Sequence, residues 1–115
     1  MEIHIRDKKL RKALSDEAEC KKRFGVDRTT KLFLRYSALQ AAESLATFWP
    51  PNSGPERCHE LTGDLAGKFS MDLKQPYRLL FTPIAPVSKT TFANELDRWK
   101  AITEIEIQGI EDTHG

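Results

Sequence analysis

RCHELTGDLAGKFSMDLKQPYRLLF, residues 57–81, is the stretch around which the rest of the chain is arranged. It reads as a strand, a tight turn and a second strand, preceded by a glycine-punctuated loop that carries His59. Gly63 and Gly67 bracket a sharp reversal, because glycine serves where φ must be positive or another group must come close. Lys68 and Arg78 fall near the polar ends of the two candidate strands and are expected to converge on one anion. Arg78 is equally placed to pair with Asp72 across the hairpin. His59, with an intrinsic pKa near neutrality, suits proton transfer.

Outside this stretch the sequence alternates between helix and strand periodicities. Upstream, Glu2-Ile3-His4-Ile5-Arg6 alternates polar and apolar, which predicts a short strand. Asp7 follows as a helix cap. Leu10, Ala13, Leu14 and Ala18 then repeat at helical spacing, and the helix is expected to run to Phe24-Gly25, with a break at Ser15-Asp16 as the alternative. A second helix is expected from about Asp27–Thr30 to Thr47, with Leu32, Tyr36 and Leu39 on its inner face. Together these predict an antiparallel helical hairpin. Phe48 to Pro55 holds three prolines in its last six residues, which excludes helix there. Trp49 is expected to lie over the core.

Downstream, Thr82 to Lys89 reads as a loop, and Thr91 to Lys100 as a helical turn with Leu96 and Trp99 inward. Residues 101–110 alternate through Ile105 and Ile107 as a strand that pairs with the hairpin and carries Glu111 to Gly115 at its outgoing end. The fold class is therefore α+β: one domain over residues 1–115, with an N-terminal strand and a helical hairpin packed on a mainly antiparallel sheet of about four strands.

Composition narrows the function classes. Apolar residues make up 39% and charged residues 30%, as in a water-soluble domain. No run approaches the roughly 20 apolar residues of a bilayer span, and the charged N-terminus lacks a secretory h-region, so no membrane association and a cytoplasmic location are expected. The net charge is only +1, but residues 1–47 hold 11 Lys and Arg against 7 Asp and Glu, and residues 48–115 hold 7 against 10. The basic half suits a phosphate backbone; it equally suits ordinary solvated helices. Cys20 and Cys58 are expected to be separate thiols. His4 and His114 have no CxxC or HxxxH companion, so no metal and no cofactor are expected.

The rim of such a sheet could gather His59, Lys68, Arg78, Asp112 and His114. Two imidazoles and two cations are the parts needed to cleave RNA without a metal: a base for the ribose 2′-OH, an acid for the leaving 5′-oxygen, and cations for the phosphorane charge. Cys58-His59-Glu60-Leu61-Thr62-Gly63, Gly67-Lys68-Phe69-Ser70-Met71-Asp72, Pro76-Tyr77-Arg78-Leu79-Leu80-Phe81 and the terminal Asp112-Thr113-His114 resemble the HigB-like killer proteins of the RelE toxin superfamily. The resemblance extends over nearly the whole chain. It implies a RelE-like fold and a toxin of a bacterial type II toxin-antitoxin module that cuts mRNA on the translating ribosome. The implied partners are the ribosome, mRNA and a cognate antitoxin, often one with a helix-turn-helix DNA-binding domain. Carried over by position, His59, Asp112 and His114 are catalytic, and Lys68 and Arg78 hold phosphate. Where the family commonly has a tyrosine between the terminal acid and histidine, this chain has Thr113. That departure motivates a second expectation, a toxin-like module that only binds an antitoxin in a repressor complex. A general RNA-binding domain using the basic first helix is the third, and it predicts steep salt dependence.

Overall fold

A computed structural model describes residues 1–85 and 91–112. The elements run β1 (Glu2–Ile5), α1 (Lys8–Ser15), α2 (Glu17–Phe24), α3 (Val26–Ala41), a 3-10 turn (Leu45–Phe48), β2 (His59–Glu60), a second 3-10 turn (Gly63–Leu65), β3 (Phe69–Asp72), β4 (Tyr77–Pro83), α4 (Glu95–Ala101) and β5 (Glu104–Asp112). The five strands form one sheet in the order β1-β5-β4-β3-β2. Among the described residues, the β1–β5 pair is parallel and the other three pairs are antiparallel. The α+β class and the mainly antiparallel sheet are as expected, with one strand more than the sequence suggested.

The helical layer has three helices where two were expected. Asp16 is extended (φ −144°, ψ 103°), and its carboxylate accepts from the backbone N–H groups of Ala18 and Glu19. An Asp that finds two orphan donors immediately after Ser15 starts a new helix more favourably than it continues the old one. Asp7 caps α1 in the same way, through Lys9 and Leu10, and these bonds hold its carboxyl below the ordinary carboxylate range.

α3 stops at Ala41, well before the expected Thr47. Its final carbonyls, Leu39 and Gln40, accept from the Met1 amino group at 3.3 and 3.2 Å, as does that of Ala42. Ser44 then caps the 3-10 turn through Ala46 N–H, and Leu45 N–H donates to Ile102 O at 2.9 Å. The chain thus leaves the helix to reach the far end of α4.

One face of the sheet carries the core. Phe69, Met71, Leu79, Phe81, Ile105 and Ile107 point into it and meet Leu32, Leu39, Leu45 and Trp99 from the helical side. The aromatic centre is ordered by geometry as well as by burial. Trp99 sits edge-on to both Trp49 (5.1 Å) and Phe69 (5.7 Å), and Phe69 stacks on Phe81 at 5.8 Å. Trp49 covers the core, and Trp99 is buried on α4, as the sequence indicates.

Candidate functional site

Strand alternation assigns the sheet's second face to the polar side chains. His59 pairs with Ser70, Ser70 with Leu80 and Leu80 with Gly109; two residues along, Asp72 pairs with Arg78 and Arg78 with Glu111. Directly opposed residues share a face, so His59, Ser70, Asp72 and Arg78 lie on the side away from the aromatic core. The sequence expects His59 in a loop; it lies instead on β2, an edge strand of two residues.

His59 has a defined orientation. Its Nδ1 lies 2.9 Å from the carbonyl oxygen of Arg57. A carbonyl can only accept, so Nδ1 carries the proton, and in the neutral ring Nε2 keeps its lone pair. Arg57 is a non-glycine residue at φ 47°, in the left-handed region. That conformation lets one residue serve both neighbours: its carbonyl holds His59, while its Nε lies 3.4 Å from Asp72 Oδ2.

Asp72 joins this arm to the other. Its Oδ1 lies 3.7 Å from Arg78 Nε, so the cross-hairpin pair anticipated from sequence forms. At that distance the contact is an ion pair rather than a hydrogen bond, and Arg78 Nε is buried without a hydrogen-bond partner among the described residues. Ser70 Oγ, at the position paired with His59, is likewise buried and unpartnered among them. Behind this row stands Arg35 of α3, 6% exposed. Its Nε donates to Asp72 O at 2.8 Å and its Nη2 to Pro55 O at 3.1 Å, which ties the 50–58 segment and β3 to the helical layer.

Lys68 and Arg78 do not converge. Phe69 pairs with Phe81 and Asp72 with Arg78, so Lys68, just before Phe69, and Arg78 stand at opposite ends of β3. Four residues of strand separate them by roughly 13 Å. They flank His59 along the sheet instead of sharing one anion. The expectation failed because antiparallel pairing reverses direction: residues near the turn on one strand oppose residues near the turn on the other, and Lys68 is distant from the turn at 73–76.

Asp112 is described at the end of β5, paired with Tyr77. From His59 it is three strands away, roughly 14 Å, and three residues farther along, roughly 10 Å. By alternation it shares the face of Tyr77, opposite to that of His59; the acid registered against Arg78 on the His59 face is Glu111. His114 and Thr113 fall outside the described residues. The sequence reading missed Arg57 and Arg35. Arg57 adjoins the motif but gives no sign of its left-handed backbone. Arg35 was visible as a charge at the spacing of the buried Leu32 and Leu39.

Among the described residues, no helix is long and apolar enough to cross a membrane. No protein-family model matches the chain. No curated protein matches it either. Among solved structures, the chain is similar to a YoeB/ParE toxin from Agrobacterium tumefaciens, with 15% identity over 99% of this chain and 100% of that one and a TM-score of 0.53. At that identity the likeness is one of fold: this chain has the α+β architecture of a YoeB/ParE-type toxin.

Proposed function

We propose that the protein is the toxin of a type II toxin-antitoxin module and cleaves mRNA on the ribosome. The observation that carries the reading is the row formed by Lys68, His59, Asp72 and Arg78 on the polar face of a sheet shared with a toxin fold. His59, with its proton on Nδ1, acts through Nε2 as the base that takes the ribose 2′-OH proton. The 2′-oxygen then forms a bond to phosphorus, the P–O5′ bond breaks, and an acid protonates the leaving oxygen. The Arg78 guanidinium, oriented by Asp72 beside its buried Nε, donates to the phosphorane through its terminal nitrogens; Lys68 holds another phosphate about a strand's length away. In this reading His114 supplies the acid, and Asp112, registered on the face opposite to His59, takes no part in that step. The expected partners are the ribosome, mRNA and an antitoxin. Val26 and Leu34 support a partner surface: they lie eight residues apart on one face of α3 and are 64% and 53% exposed.

Expression in a bacterium is the test. The wild type is expected to arrest growth and translation, and His59→Ala and Arg78→Ala to relieve the arrest while folding normally. A harmless wild type, or a His59→Ala variant of equal toxicity, overturns the catalytic assignment. One observation favours a second reading, the antitoxin-binding module without catalysis: Asp112 is three strands from His59 and registered on the opposite face. Copurification with the product of a neighbouring gene, together with no ribosome-stimulated cleavage, identifies that case.

A further inference from the structure

We propose that Glu2, His4 and Glu104 form a site for a divalent transition ion of the zinc class, at the junction of the first and last strands. No sequence spacing signals it, because two ligands lie at the start of the chain and the third is 100 residues beyond His4. The parallel register unites them. Glu2 pairs with Glu104 and His4 with Glu106, so Glu2 and His4, two residues apart on a strand, point to the same side as Glu104. One ligand atom from each, two carboxylate oxygens and an imidazole nitrogen, lies within 4.8 Å of the others. His4 Nε2 and Glu104 Oε2 are already 2.6 Å apart.

The local charge supports a cation. Two carboxylates meet one imidazole, and among the described residues no lysine or arginine forms an ion pair with Glu2 or Glu104. Arg6, the next residue of that face on the same chain segment, is engaged with Gln108 at 3.1 Å. A tetrahedral zinc ion with ligands at about 2.0–2.2 Å holds them roughly 3.4 Å apart. Binding would displace the proton shared by His4 Nε2 and Glu104 Oε2 and open that pair from its 2.6 Å separation. Mixed imidazole and carboxylate donors select zinc, manganese or nickel over magnesium and calcium, which prefer all-oxygen shells. Three protein ligands leave one position for water. The bound ion would clip β1, an edge strand of four residues, to β5.

Calorimetric titration of the untagged protein with zinc chloride at neutral pH tests the site. The expected result is saturable one-to-one binding and a rise in Tm at excess metal. His4→Gln and Glu104→Gln are each expected to weaken binding at least about tenfold, whereas Glu106→Gln, on the neighbouring position, leaves it unchanged. All three lie on the sheet surface, and circular dichroism checks that each is folded; Glu2→Gln replaces any that is not. Absence of saturable binding up to about 1 mM zinc, roughly −4 kcal/mol, overturns the proposal. So does binding that survives His4→Gln and Glu104→Gln undiminished, since the ion would then sit on other residues such as His59.

Discussion

Replacing Arg35 by Met should loosen the 50–58 segment and the end of β3 that back the proposed catalytic row, without changing any side chain of the row. Methionine keeps the volume and flexibility of the buried stem and removes both hydrogen bonds, to Asp72 O and Pro55 O. A hydrogen bond from a charged donor contributes about 1.5–3 kcal/mol, and two of them about 3–6. Removing the guanidinium also relieves its desolvation, so the net loss falls near the lower end, about 3 kcal/mol. For a domain of this size that corresponds to a Tm fall of roughly 10 °C. Arg35→Lys should lie between, since an ammonium lacks the planar fork that serves two carbonyls at once. Thermal denaturation gives the magnitude. Limited proteolysis or amide exchange gives the location, with faster cleavage or exchange confined first to residues 50–58. A Tm fall below about 3 °C, or protection lost evenly along the chain, would refute the tie between α3 and the site.

Burial, and then the negative charge of Glu56, push the Cys58 thiol up to about 12. Its folded-state pKa exceeds the unfolded value near 9, so its contribution is fully present below pH 9 and lost as pH rises toward 12. Stability should fall above pH 9 by about 1.4 kcal/mol per unit from this group, and Cys58→Ala should lose that part of the slope; equal slopes would refute it. In the native protein at pH 8, Cys58 should also resist thiol reagents until denaturant is added. Asp16→Ala should cost about 1 kcal/mol through loss of the α2 cap. Denaturant titration checks it, and no change would mean that packing alone divides α1 from α2.

Periodicity disclosed the elements whose burial is decided locally. Ile105 and Ile107 alternate because one face of β5 is core, and Leu32 and Leu39 recur because α3 covers it. Pairings were less legible, since they depend on where each turn closes. Lys68 and Arg78 look like neighbours on a hairpin drawn from 57 to 81, yet the turn that joins β3 to β4 lies at 73–76 and sets them at opposite ends. Helix boundaries shifted for a related reason. α3 ends where the Met1 amino group and Ile102 O claim its exit, and both groups are remote in sequence. The site shows the same division: His59 and Arg78 were legible as residue types, whereas Arg57 acts through a backbone conformation and Arg35 through reach across the layers.

The parallel seating of β1 beside β5 also sets a timetable for synthesis. Glu2 leaves the ribosome more than 100 residues before its partner Glu104. During that interval α1, α2 and α3 can pack locally and on the β3–β4 hairpin, while the four residues of β1 wait with an open hydrogen-bonding edge. β4 is in the same position on one side, because β5 lies between it and β1. Closing the sheet is therefore the last step, and a loop of that length is a slow one to close. A nascent chain shorter than about 104 residues has the helices and the β3–β4 hairpin but no completed sheet to hold them. Ribosome-stalled chains of increasing length should become protease-resistant in one late step once β5 has emerged.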